Sequence, residues 1–176
     1  WNLDAAHSKI GFSVRHFFTP VEGSFDDYTA ELVWDQENPA NSRVSATIQV
    51  ASVNTGNSDR DGHLQSTDFF AAETFPAITF ESTSVAAGEG DTMLVTGNLT
   101  IKDVTREVTM PVRALGVQEL APEMQAMFGG IVEVASFEAE LEIDRRDFGV
   151  GTGSWGETAI VGGPVTITIQ LEANHS

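Results

Sequence analysis

Residues 165–172, VTITIQLE, alternate apolar and polar side chains without interruption. Val165, Ile167 and Ile169 fall on one side of this alternation, and threonine or glutamine follows each of them. Successive side chains of a β-strand point to opposite faces of the sheet, so the segment predicts a strand with one buried and one solvated face. Half-buried strands of this kind are typical of antiparallel sheets.

The same period of two recurs along most of the chain. It predicts further strands at residues 9–16, 28–34, 44–50, 78–85, 95–101, 108–112 and 137–143. Turn residues separate these segments, as at Asn38 and Pro39. Eight antiparallel strands without evident edge protection favour an all-β fold that closes into a barrel. A sandwich of two sheets has the same periodicity and stays open as the structural alternative.

Composition narrows the class of protein. The 176 residues fit a single domain, 1–176, and contain no apolar run of about 18 residues that would indicate a transmembrane helix. The 26 acidic and 9 basic residues give a net charge of −17, which argues against nucleic acid as a partner and against an anionic membrane surface. The chain starts at Trp1 without a methionine, so we expect a mature or excised fragment that is periplasmic or secreted.

Residues 54–80, NTGNSDRDGHLQSTDFFAAETFPAITF, interrupt the alternating strands with charge, histidine and phenylalanine. A hairpin needs only a short polar turn, so a long connection of this composition predicts a lid over one end of the barrel. Within it, residues 57–66 predict a short helix capped by Asn57 or Ser58. A second short helix is predicted at residues 119–127, with Pro122 near its start.

The interior of an eight-stranded barrel is either filled by side chains or open to one ligand. The apolar rows of the predicted strands contain small residues that would leave space, namely Ala46, Gly97, Ala114 and Ala139. The alternative is a tight core in which these small residues face large ones. Periodicity does not decide between a cavity and a packed core.

Basic residues are few, so their grouping is informative. Three pairs lie near predicted strand ends or in the interrupting segment: Arg15 with His16, Arg60 with His63, and Arg145 with Arg146. If these ends converge, they form a cationic mouth for a carboxylate or phosphate head group, because arginine binds both in a bidentate manner. The structural alternative is that Arg60 or Arg145 pairs with Asp61 or Asp147 and fastens the lid.

Catalytic and metal-binding patterns are weak. His7, His16 and His63, with Asp59 or Asp61, lack a recognisable metal-ligand spacing, so no metal site is predicted. Ser66, His63 and Asp61 lie within six positions and do not present triad geometry, so we do not expect an enzyme. Trp34 and Trp155 are candidates for sugar stacking, and they support an alternative function as a carbohydrate-binding or adhesion module of a larger exported protein.

An ordered set of motifs resembles the YceI-like family of polyisoprenoid-binding proteins of extended lipocalin type. The set comprises WxLDxxHSxIxFxVxH from Trp1, RDxHLxSxDFF from Arg60, FPxITF from Phe75, GxLTIKxVT from Gly97 and RxDFG from Arg145. The chain departs from the family at Asp144, where asparagine is usual, and at residues 118–130, a longer Met-rich segment.

The resemblance implies a lipocalin-like barrel with a long apolar tunnel, usually periplasmic. It implies non-enzymatic binding of a long-chain amphiphilic lipid: a polyisoprenoid, a prenyl phosphate or a prenylated quinone such as ubiquinone. Carriage, storage or redox supply are the roles that follow, with no covalent cofactor. The partners expected are this lipid, a redox partner protein if the ligand is a quinone, and a second copy of the chain in a homodimer.

Inward-facing positions of the predicted strands, the phenylalanines of the lid and one phenylalanine after the strand at 137–143 supply the candidate ligand contacts. These are Phe12, Val14, His16, Ile48, Phe69, Phe70, Phe80, Leu99, Met110, Phe137 and Phe148. The candidates for the head group, besides His16, are Arg15, Arg60, His63 and Arg145.

Overall fold

The computed structural model describes residues 1–176. Its ten strands are β1 Asn2–His16, β2 Thr19–Phe25, β3 Tyr28–Val33, β4 Arg43–Gln49, β5 Val53–Asn54, β6 Ala77–Ala87, β7 Thr92–Ile101, β8 Val104–Glu119, β9 Glu133–Asp144 and β10 Val161–His175. The helices are α1 Ser58–Gln65 and α2 Pro122–Met127, with 3₁₀ turns at Pro39–Asn41, Val50–Ser52, Arg145–Phe148 and Gly153–Gly156. Neither α-helix is long and apolar enough to cross a membrane.

The strands close into a barrel. Neighbours in the order β3, β4, β6, β7, β8, β9 and β10 pair in antiparallel fashion, and β10 then pairs with β1 from Asn2 opposite Asn174 to His16 opposite Val161. β2 and β3 act as one bent strand, because β2 pairs with the last part of β1 and β3 with its first residue. The predicted eight-stranded antiparallel barrel is therefore confirmed, and the alternative sandwich of two sheets is excluded because the strands form one closed sheet.

Two short strands, β2 and β5, were not predicted. β2 has the sequence TPVEGSF, in which proline and glycine weaken the strand pattern. Gly23 is nevertheless required, since a side chain there would collide with the ring of Phe12 on β1. The aromatic ring covers the glycine, a cross-strand packing that also occurs between Phe80 and Gly97.

The predicted lid helix is confirmed. α1 begins after Asn57, whose side chain accepts a hydrogen bond from the backbone N–H of Arg60 at 3.0 Å. α2 is shorter than predicted, because β8 continues to Glu119 before the helix begins at Pro122.

The barrel has two unlike ends. The α1 end is where β1, β7 and β9 finish, and it is covered by residues 50–76 and 145–160. The opposite end, which we call the Trp34 end, is bordered by Trp1, residues 34–42 and the β8–β9 connection.

Candidate functional site

A long apolar cavity occupies the barrel. It has a volume of about 250 Å³ and is lined by 39 residues, of which 34 are hydrophobic. A cavity of about 10–15 Å³ already admits one water molecule, so this space is far larger than an ordinary packing void. The lining runs from Leu64 and Phe69 at the α1 end to Trp34 at the opposite end.

Part of the cavity exists because small side chains occupy inward-facing positions of the strands. Ala46 on β4 and Ala139 on β9 line the cavity, as their positions in the apolar rows suggested. Gly97 contributes no space, since a Cβ atom there would lie 2.5 Å from the ring of Phe80, which already fills the gap. Ala114 lies outside the lining. The barrel therefore combines a packed wall with an open interior.

Nine of the eleven candidate contacts line the cavity. They are Phe12, Val14, Ile48, Phe69, Phe70, Phe80, Leu99, Met110 and Phe137. His16 does not, because it is the last residue of β1 and its exposed ring packs edge-on against Phe17 with centroids 4.9 Å apart. Phe148 does not either, since it is 2% exposed within the packed cluster behind the cavity wall.

The interrupting segment closes the α1 end with aromatic rings. Phe69 is 4% exposed and packs against His63 and Trp155, with ring centroids 5.1 and 5.5 Å away. Phe70 meets Phe25 of β2 edge-on at 5.9 Å. The lid thus continues the apolar wall of the cavity across the end of the barrel.

Arg145 is buried, with 5% of its surface exposed, and has no acidic partner. Its guanidinium donates hydrogen bonds of 2.7–3.1 Å to five backbone carbonyls: those of Val150, Gly151, Trp155, Val161 and Gly162. Burial lowers the pKa of Arg145, although Asp144 acts in the opposite direction. With its donors committed, Arg145 holds the loop that precedes β10.

The other head-group candidates are also engaged locally. Arg60 donates to the hydroxyl and the carbonyl of Thr55, at 2.7 Å each. His63 Nε2 lies 2.8 Å from Asp68, and Arg15 donates to the carbonyls of Phe17 and Thr158. All four candidates lie at the α1 end, and the hydrogen bonds described for them go to oxygen atoms of the protein's own lid, of Phe17 and of residues 150–162.

The proposed pairs of Arg60 with Asp61 and of Arg145 with Asp147 are not formed. Asp61 instead accepts hydrogen bonds from the N–H and hydroxyl of Thr55. Asp144 pairs with Arg146 at 2.6 Å, and this hydrogen bond lowers the pKa of Asp144 to about 2. The aspartate that departs from the family pattern thus fixes the turn after β9.

Ser66, His63 and Asp61 do not form a catalytic triad. The Ser66 hydroxyl donates to the carbonyl of His63 at 2.6 Å, while the His63 ring bonds to Asp68. His7 lies 3.0 Å from Asp4 and 3.7 Å from Glu172, a grouping that joins both chain ends and was not visible in the sequence. Hydrogen bonding to Asp4 raises the pKa of His7.

Two side chains at the Trp34 end carry hydrogen-bond donors for which the structure shows no partner. The indole Nε1 of Trp34 is buried and has no hydrogen-bond partner, although Trp34 lines the cavity. Its ring packs edge-on against Phe137 at 4.9 Å and lies 5.5 Å from Trp1. Arg43 also lines the cavity and forms no ion pair. Sequence reasoning missed Arg43, since nothing in its neighbourhood marks it.

A groove adjoins the cavity beside β3. β1 pairs with β3 only at Asn2 and Glu31 and meets β2 only from Ile10 onward, so the two walls separate in between. The groove has a volume of about 700 Å³. It shares five lining residues with the cavity, namely Tyr28, Ala30, Leu32, Arg43 and Val44. The interior therefore comes close to the surface at this edge.

A closed barrel of eight antiparallel strands around an apolar interior defines the class of small cavity-bearing barrels to which lipocalins belong. Within that class, the family model described as YceI-like domain matches residues 1–173. The chain belongs to the YceI-like family. Protein YceI of Salmonella arizonae is 35% identical over 150 residues, which cover 85% of this chain and 74% of the relative.

Solved structures of similar proteins have the same fold as this chain. The crystal structure of Burkholderia cenocepacia BcnA is 33% identical and has a TM-score of 0.87, covering 98% of this chain and 99% of that chain. A polyisoprenoid binding domain from Saccharophagus degradans, implicated in plant cell wall breakdown, has a TM-score of 0.72. It is 17% identical and covers 99% of this chain and 97% of its own, so it is evidence for the fold alone.

Proposed function

We propose that the protein is a non-enzymatic binder of a long-chain isoprenoid amphiphile, such as a polyisoprenoid, a prenyl phosphate or a prenylated quinone like ubiquinone. The observation that carries this proposal is the continuous apolar cavity along the barrel. Burial of a hydrocarbon chain there yields about 25 cal/mol for each Å² removed from water. The ligand would be held without a covalent bond.

A blocking substitution tests this proposal. Ala46 lines the cavity, so Ala46→Phe would fill it, whereas Thr47→Phe places the same side chain on the outer face of β4. We expect Ala46→Phe to weaken binding of a fluorescent prenyl probe at least tenfold and Thr47→Phe to leave it within about twofold. Equal affinity of the two variants, or no binding by the unmodified protein, would refute lipid binding in the barrel.

The proposal also covers the role of the protein in the cell, which is to carry or store the bound lipid. With a quinone ligand, the protein would carry or store it for a redox partner protein, which would supply the electrons. The proposal includes periplasmic or secreted localisation, which the net charge of −17 supports because strong acidity is frequent in exported proteins.

The carbohydrate-binding alternative gains no support from the tryptophans. Trp34 packs on Trp1 and Phe137 at one end of the barrel, and Trp155 packs on His63 and Phe69 at the other. They form no exposed row on which a sugar chain could stack.

A further inference from the structure

The turn between β1 and β2 carries two exposed phenylalanines. It consists of Phe17 and Phe18 alone, since His16 pairs with Thr19 across the hairpin. Phe18 is 94% exposed and Phe17 is 49% exposed. Phe17 also has a positive φ of 49°, a conformation that two-residue turns usually give to asparagine or glycine. Neither core packing nor turn geometry calls for aromatic side chains here, and an unfavourable backbone conformation of this kind is a reason to look for a function.

Hydrogen bonds hold this turn against the loop that precedes β10. The N–H of Phe17 donates to the carbonyl of Ile160 at 2.6 Å. Arg15 donates to the carbonyls of Phe17 and Thr158. Ile160 is itself 43% exposed, so a third exposed apolar residue adjoins the two phenylalanines. We call Phe17, Phe18 and Ile160 the apolar tip, and the hydrogen bonds give it a fixed base on the barrel.

The apolar tip lies beside one end of the cavity. Val14 lies on β1 shortly before the turn, Val161 directly follows Ile160, and both valines line the cavity. Val161 also pairs with His16, the last residue of β1 before the turn. The tip therefore projects from the α1 end of the barrel, and only short stretches of β1 and β10 separate it from the apolar interior.

The size and charge of the tip favour a lipid surface over a protein partner. Its three side chains present on the order of 350 Å² of apolar surface, whereas each partner of a stable protein interface contributes about 800 Å². Among residues 15–20 only Arg15 carries a fixed charge, and residues 158–161 carry none. The net charge of −17 opposes an anionic bilayer, so a zwitterionic one is the surface that fits.

We propose that the apolar tip inserts into the interface of a zwitterionic lipid bilayer and docks the α1 end of the barrel on the membrane. Burial of Phe18 between the head groups and the acyl chains supplies most of the attraction, and Phe17 and Ile160 extend the buried surface. This inference goes beyond the proposed function, because docking requires no ligand in the barrel.

Flotation with phosphatidylcholine vesicles tests the inference. Phe18→Ser removes the most exposed ring and should weaken vesicle binding at least about tenfold. Phe128→Ser is the matched control, because it removes a phenylalanine that is 51% exposed at the Trp34 end, and it should leave vesicle binding within about twofold. Phe18 does not line the cavity, so Phe18→Ser should keep its affinity for the prenyl probe, which also shows that the variant is folded.

A fluorescent label gives a second readout. The chain has no cysteine, so a single introduced cysteine places an environment-sensitive fluorophore at one position. A label on Thr19→Cys, next to the tip, should shift its emission to shorter wavelength when vesicles are added. A label on Ala126→Cys, in α2 at the Trp34 end, should not respond.

Several results would overturn the inference. These are no vesicle binding by the unmodified protein, unchanged binding by Phe18→Ser, an equal loss in Phe128→Ser, or a response of the label at position 126 in place of that at position 19. Self-association that Phe18→Ser abolishes, without vesicle binding, would also overturn it and would assign the tip to a second copy of the chain. If the unmodified protein binds vesicles but no prenyl probe, the proposed function fails and the docking stands.

Discussion

At the scale of single residues, Arg145 shows where sequence reasoning reaches its limit. Its type and its place after a strand suggested a head-group ligand, as arginine often binds anions. The structure instead gives its donors to carbonyls up to 17 residues away in sequence. Those partners belong to an irregular loop, and no periodic pattern in the sequence reports where such a loop passes.

Replacing Arg145 should therefore affect stability strongly. Arg145→Met leaves five carbonyls without their donor, three of them in fully buried hydrogen bonds, and we expect the free energy of unfolding to fall by about 3 kcal/mol or more. Arg146→Met is the matched control, because its exposed ion pair with Asp144 contributes about 1 kcal/mol or less. Urea denaturation followed by circular dichroism measures both. Similar small losses in the two variants would contradict the structural role of Arg145.

At the scale of elements, the strands with clean alternation were predictable and the irregular ones were not. β7 and β10 follow the period of two closely, since one face of each meets the cavity and the other meets water. β2 was not predicted, because Gly23 interrupts its strand pattern. The glycine is needed there to make room for the ring of Phe12 on the neighbouring strand. The need for a glycine at such a position depends on a side chain of the partner strand, so the sequence of one strand alone does not reveal it.

The glycine–aromatic packing yields a prediction for β7. Gly97→Ala would place a Cβ atom 2.5 Å from the Glu81 carbonyl and from the Phe80 ring, so we expect a loss of about 1–3 kcal/mol in stability. Gly116→Ala in β8 meets nothing within 4 Å and should change stability by no more than about 0.5 kcal/mol. Thermal unfolding of both variants measures the two losses. A Gly97→Ala variant as stable as the unmodified protein would contradict the packing described.

At the scale of the whole molecule, the fold could be predicted from the sequence, but the hydrogen-bonding state of the polar side chains at its two ends could not. Eight alternating segments with ordered family motifs were enough to predict the closed barrel and its helical lid. The sequence drew attention to arginines at the α1 end, whereas the unsatisfied donor lies at the other end, on Trp34. Whether a donor has an acceptor depends on the folded surroundings, which residue type alone does not specify.

The central claim is that the barrel cavity holds an isoprenoid lipid. Native mass spectrometry of the protein purified without detergent, combined with organic extraction, tests it most directly. We predict a complex heavier than the bare chain by the mass of one lipid, which dissociates on extraction and yields an isoprenoid compound. A bare chain that also fails to take up an added prenylated quinone would contradict the claim.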